Sequence, residues 1–138
     1  MKTCIALLLA LSLPLAHANE EAEPKEGEAA APTTAYIGLT PALVGNYGSG
    51  PKLKYYKADI ALQVKSADAK TKVEHHEPLI RNQLVMIFSQ QTDESLSSPD
   101  GKEKLRQEAL KQVQGVLQQE EGAPLVDDLL FNNLVIQP

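Results

Sequence analysis

The sequence predicts an α+β domain: a largely antiparallel sheet with two main helices packed on one face. Three observations carry this reading. Residues 55–65 alternate between apolar and polar side chains, two later segments place apolar residues at helical spacing, and the segments run β, β, α, α, β. That order lacks the regular alternation from which parallel βαβ sheets are built.

Residues 36–44 read as a first strand, broken by Pro41. Residues 45–51 are rich in Gly, Asn, Ser and Pro and read as a hairpin-type loop. A glycine-rich phosphate cradle would need a helix to start directly after the glycines, to supply amides and dipole. A strand follows instead. In it Tyr56, Ala58, Ile60, Leu62 and Val64 share one face, and Tyr55, Lys57, Asp59, Ala61, Gln63 and Lys65 share the other. This is the period of a half-buried antiparallel strand. Lysines on its outer face discourage pairing with other chains.

Residues 70–91 read as helical, with Val73, Ile80, Leu84, Ile87 and Phe88 on one stripe. Pro78 either opens the main helix or kinks one that began near Ala69. A second helix starts at residues 97–100, where serine caps, proline fits the first turn, and Asp100 and Glu103 suit the positive end. Leu105, Ala109, Val113, Val116 and Leu117 form its buried stripe, and it ends before Gly122 and Pro124. Residues 125–137 read as a closing strand with a bulge at Asn132 and Asn133.

The start of the chain has a different character. Lys2, an apolar run over residues 5–15 and the ending Ala16-His17-Ala18 are the three parts of a secretory signal peptide over residues 1–18. The apolar run would rise only ~16 Å as a helix, against a bilayer core of ~30 Å. An uncleaved anchor is the alternative. A lipoprotein signal would place its cysteine after the apolar run, whereas Cys4, the only cysteine, precedes it. Residues 19–35 hold five glutamates, two prolines and no large apolar side chain, which predicts a disordered acidic linker. The folded domain is then residues 36–138, and its address is the periplasm, where disulfides are permitted but not required.

Composition narrows the function. Loss of Lys2 takes the net charge from −5 to −6, and the chain has no tryptophan. Nucleic-acid binding needs basic surface and stacking platforms, so it is not expected. No catalytic, cofactor-binding or metal site emerges. His75 and His76, flanked by Glu74 and Glu77, are adjacent and so point ~100° apart on a helix, unlike ligands spaced four apart. The acidic pairs Glu120-Glu121 and Asp127-Asp128 read as solvated charges that serve solubility rather than catalysis. The six lysines of residues 52–72 suit an acidic partner or anionic headgroups, but read first as a solvated sheet face and edge.

Three stretches, residues 76–84, 92–108 and 126–137, together resemble the periplasmic domain of the flagellar basal-body protein family FliL. The run from Leu96 to Arg106 and the ending Phe131, Val135, Ile136, Gln137 are the most specific parts. Residues 40–46 fit the family's opening, and the resemblance spans residues 36–138. It implies a stomatin (SPFH)-like fold, no enzymatic activity and no cofactor. It also implies association with flagellar stator proteins at their periplasmic linker, support of swimming and swarming, and homo-oligomeric rings. Family members typically carry a full transmembrane helix; a signal peptide here is a departure from that pattern. The alternative function is a soluble periplasmic binding or assembly factor, outside the flagellum, on the same fold.

Overall fold

The computed structural model describes residues 34–138. The signal peptide read over residues 1–18 and the linker read over residues 19–35 lie outside it, except for Thr34 and Ala35, and Ala35 already belongs to the first strand. Strands β1 (Ala35–Gly38), β2 (Leu43–Tyr47) and β3 (Lys54–Val64) come first. Helices α1 (Ala67–His75), α2 (Glu77–Ser89), α3 (Asp93–Ser97) and α4 (Pro99–Glu121) follow, and β4 (Val126–Gln137) closes the chain.

All four strands form one sheet, and every pairing is antiparallel. β3 is its spine. β4 pairs along one edge of β3 from Tyr55 to Val64, while β1 and β2 share the other edge, β1 against residues 61–64 and β2 against residues 54–58. The first strand is therefore broken at Pro41, as its sequence predicts. The Thr40–Pro41 peptide is cis. Four residues, 39–42, fill a gap that spans only Asp59 and Ile60 on β3. On the other edge the register slips once between Asp59 and Ile60, opposite Asn132, and once between Gln63 and Val64. The first slip is the bulge expected at the asparagine pair.

The core lies between one sheet face and the helices. Tyr56, Ala58, Ile60, Leu62 and Val64 are all buried, as the alternation requires, against Val73, Ile80, Leu84, Ile87 and Phe88. From α4 come Leu105, Ala109, Val113 and Leu117, with Val116 only half-buried. The helices lie on this face, so the fold is the expected α+β arrangement. Phe88 stacks on Tyr56 with ring centroids 4.7 Å apart and meets Phe131 edge-on at 5.9 Å.

Helix boundaries follow from capping. Ser66 Oγ accepts from the Ala69 amide at 3.0 Å and starts α1. The helical stretch then splits at His76, and Pro78 sits in the first turn of α2, where its missing N–H costs nothing. Pro78 thus opens the main helix. Ser98 Oγ accepts from the Gly101 amide at 3.0 Å and starts α4. Gly122 ends α4 in the left-handed region at φ 75°, which a side chain would disfavour. α3 was not anticipated. A reciprocal Thr92–Ser95 capping box holds this single turn, and Leu96 anchors it in the core.

Among the described residues, two buried side-chain polar atoms lack a hydrogen-bond partner, the Tyr56 hydroxyl and Arg81 Nη1. The Tyr56 hydroxyl is buried without a hydrogen-bond partner, beneath Gly45. A Cβ on Gly45 would come within 2.8 Å of that oxygen, so the tyrosine ring needs glycine at this place in β2. Burial pushes the Tyr56 hydroxyl's pKa up. Since an unpaired buried hydroxyl carries a desolvation cost, Tyr56→Phe should leave stability unchanged or raise it by up to ~1 kcal/mol. Urea unfolding checks this; a loss of more than ~1 kcal/mol would show that the hydroxyl has a stabilising role after all.

Candidate interaction surface

Among the described residues, nothing covers the sheet face away from the helices. Directly paired residues of antiparallel strands share a face, so the register assigns this one. Lys57 lies between Val44 of β2 and Val135 of β4; Tyr55 lies between Asn46 and Gln137; Ala61 lies between Gly38 and Leu130. Val44, Tyr55 and Val135 are 64%, 44% and 50% exposed. Together with Lys57 and Gln137 they line a groove of about 300 Å³. Tyr36, paired with Gln63, and Leu53, just before β3, are also exposed. A second apolar strip, Leu79 and Met86, runs one face of α2 at seven-residue spacing, flanked by Val85.

Charged residues elsewhere mostly tie elements together. Four of the six lysines of residues 52–72 are in ion pairs: Lys54 with Asp93, Lys65 with Asp127, Lys70 with Glu74 and Lys72 with Asp68. Their charge is therefore spread over the surface and does not form one patch. Asp93 also accepts from the Tyr47 hydroxyl at 2.8 Å, so it pins α3 to the β2–β3 hairpin. Hydrogen bonds from Lys54 and Tyr47 hold its carboxyl below the usual carboxylate range. Burial, and then the neighbouring Asp93, push Tyr47 up to about 12.

The two acidic pairs differ from the solvated charges their sequence suggests. Glu121 Oε1 lies 2.7 Å from His76 Nε2, joining the end of α4 to the α1–α2 elbow, while Glu120 is exposed. Asp128 Oδ1 accepts from Arg106 Nη1 at 2.5 Å, and Arg106 also bonds Glu103. Neither link is visible in sequence, because partners 45 and 22 residues apart meet only once the chain folds. Of the two histidines, His75 stays exposed and meets the His76 ring edge-on.

Among the described residues, no group of three or more His, Cys, Asp or Glu is placed to hold a metal ion. Nor is any helix among them long and apolar enough to cross a membrane. A hollow of about 490 Å³ at the α3–α4 junction is lined by Thr92, Ser95, Ser98 and Lys104 among others. The Ser95 and Ser98 hydroxyls there are used as helix caps.

Acid titration of this network has a definite sign. Hydrogen bonds from Arg106 and Gln107 lower the Glu103 pKa from its ordinary 4.5 to about 2. A carboxylate whose folded pKa lies below its unfolded value adds stability above the unfolded value and loses it as pH falls through the folded one. The Glu103 contribution is thus present above about pH 4.5 and disappears toward pH 2. Glu103 is exposed, so salt screens the effect and keeps it small. Urea midpoints measured against pH should fall across this window, and Glu103→Gln should flatten the fall.

The family model described as "Flagellar basal body-associated protein FliL" matches residues 36–137, which takes in essentially the whole described fold. The chain belongs to the FliL family. It is 30% identical over 99 residues to a relative named "Flagellar protein FliL" from Aquifex aeolicus (strain VF5). That match covers 72% of this chain and 59% of the relative, so the chain spans less than two thirds of the relative's length. The three stretches on which the resemblance rests become parts of one FliL domain: the α2 start, the α3–α4 junction and β4.

Proposed function

We propose that this FliL-family protein is a non-enzymatic, flagellar basal-body-associated module that supports swimming and swarming through protein contacts. The observation that carries the reading is the family match over residues 36–137. The physical counterpart is a sheet face with exposed Val44, Tyr55 and Val135 and, among the described residues, no helix over it. Exposed apolar clusters on soluble domains mark contact sites more often than chance scatter does. Its partners are flagellar stator proteins, at their periplasmic linker, and other copies of itself, in keeping with a stomatin-like domain.

The leader completes the proposal. Export by residues 1–18, cleaved after Ala18, leaves a periplasmic domain on an acidic tether over residues 19–35. The domain is then held at the motor by protein contacts alone. Deletion of the gene, scored for swimming and swarming, tests the function, and crosslinking in the periplasm tests the partner. Loss of swarming with capture of stator protein is the expected result. Unaltered motility under high load, with no stator protein captured, would falsify it and favour a periplasmic factor outside the flagellum. Mass spectrometry of the exported N-terminus separates a cleaved from an anchored molecule.

A further inference from the structure

We infer that the free edge of β4 over residues 133–137 accepts an extended segment of a partner protein as an added strand, with apolar side chains beside Leu134 and Ile136 and a carboxylate turned toward Lys57. The inference rests on the contact function proposed above and gives it a mode, main-chain pairing. β4 pairs with β3 alone, so among the described residues one side of its backbone has no strand beside it. A row of unpaired amides and carbonyls is a template for another strand, and folds guard such rows. The guards here stop part-way. At its start β4 packs against α4, where Gln114 Nε2 donates to the Val126 carbonyl at 2.8 Å and Arg106 Nη1 to the Leu129 carbonyl at 3.3 Å. Asp127 and Asp128 add charge there. The bulge at Asn132 closes that half. Over residues 133–137 the guards are missing. The stretch has no charge and no proline, and among the described residues no hydrogen bond reaches its backbone from outside the sheet. The opposite edge is guarded by shortness, since β1 and β2 have four and five residues and are parted by residues 39–42.

The side chains around this edge define what fits it. Leu134 and Ile136 pair with Ala58 and Tyr56, which turns them toward the core, yet both stay only half-buried at its margin. Val135, between them, points to the other face, where it is exposed and lines the groove with Lys57 and Gln137. A strand laid along residues 133–137 therefore buries apolar surface on both of its faces. Charge sets the rest of its chemistry. Lys57 is in register with Val135, and Asp59 with Asn133. Among the described residues neither is in an ion pair. An added strand runs two strand spacings from β3, ~10 Å, which a lysine and a glutamate reaching toward each other across Val135 can span. The complementary segment thus has a carboxylate level with Val135, and none level with Asn133, where Asp59 would repel it. Residues 133–137 have the length of an ordinary strand. In this kind of recognition backbone bonds supply affinity and alternate side chains supply specificity.

A synthetic probe tests the edge on the exported full-length chain. The probe is an end-blocked peptide of about nine residues in which threonine and valine alternate and the central threonine is replaced by glutamate. In hydrogen exchange, the probe should slow the amides of residues 133–137 and leave those of β1 and β2 unchanged. In fluorescence anisotropy, a probe with lysine in place of the glutamate should bind about threefold or more weakly, and Lys57→Glu should reverse that order. A probe with proline at alternate positions should not bind, because it lacks the donors. Ile136→Lys, which places a charge on the edge, should weaken the glutamate probe by about tenfold. Lys57 is exposed, so the reversal at Lys57 keeps its meaning even where Ile136→Lys unfolds the domain. No protection at residues 133–137 with the probe at about millimolar concentration would overturn the inference. So would protection at β2 instead, equal binding of the glutamate and lysine probes, or full binding of the proline probe. Protection that is present without probe and grows with protein concentration would assign the edge to a second copy and overturn it equally. None of these outcomes touches the motor association, which the deletion strain tests by itself.

Discussion

Phe88→Ala should cost the domain ~3–5 kcal/mol, the largest loss expected from any single substitution in the helices. The ring is fully buried, stacked on Tyr56 and edge-on to Phe131. It joins α2 to β3 and to β4, so no one element can move in to refill the space. Small domains have total stabilities of about 5–15 kcal/mol, so the variant should be marginal at best. Met86→Ala, two residues away but half exposed, should cost less than ~1 kcal/mol. Urea unfolding of both, read as a shift in midpoint at constant slope, separates the two positions. Similar losses at 86 and 88 would mean that α2 does not present Phe88 to the core.

Gly101→Val should cost ~3 kcal/mol, although the position lies on a helix near the surface. A Cβ there would approach Ser95 Cα to 2.7 Å, the Ser95 carbonyl oxygen to 2.8 Å and Ser98 Oγ to 2.6 Å. Two of these atoms belong to the α3 backbone and have no rotamer by which to escape. The third is the oxygen that caps α4, so overpacking is joined by loss of a cap, itself worth ~1 kcal/mol. Gly115 gives the contrast. It lies in the middle of α4 with open space around its Cα, and Gly115→Ala should stabilise the domain by ~0.5–1 kcal/mol. Thermal unfolding of the two variants should shift in opposite directions. The same direction for both would mean that helix propensity, rather than the α3–α4 contact, governs position 101.

The elements that the sequence predicts are those with repeated local signals. β3 alternates over its whole length, α2 and α4 carry apolar stripes over several turns, and Ser98, Pro99 and Gly122 mark the ends of α4 in one-residue chemistry. Pro41 and Asn132 mark the two edges where pairing slips. α3 lacks such repetition: five residues offer one apolar anchor, Leu96, and its main evidence is a capping box that reads as loop polarity until the backbone closes on it. The split at His76 is similarly hidden, because residues 70–91 keep one stripe across it.

The contact surface was legible only in half. Residues 55–65 alone describe a lysine-bearing solvated face, and Lys57 is indeed exposed. What the strand by itself cannot show is that Val44 and Val135 flank Lys57, because they come from strands 13 residues before it and 78 residues after it, brought together by register. The ion pairs of His76, Asp93 and Arg106 were missed for the same reason. Their residue types are common surface charges, and only distance in space makes them links.

The most direct test is swarming of a deletion strain that carries either the wild-type allele or Val44→Lys/Val135→Lys, two exposed positions of the outer sheet face. Deletion should impair swarming, the wild type should restore it, and the double variant should not, at equal protein levels in the periplasm. Swarming unaffected by deletion, or restored equally by both alleles, would contradict this: the first would remove the motor role, the second would remove the outer sheet face from that role.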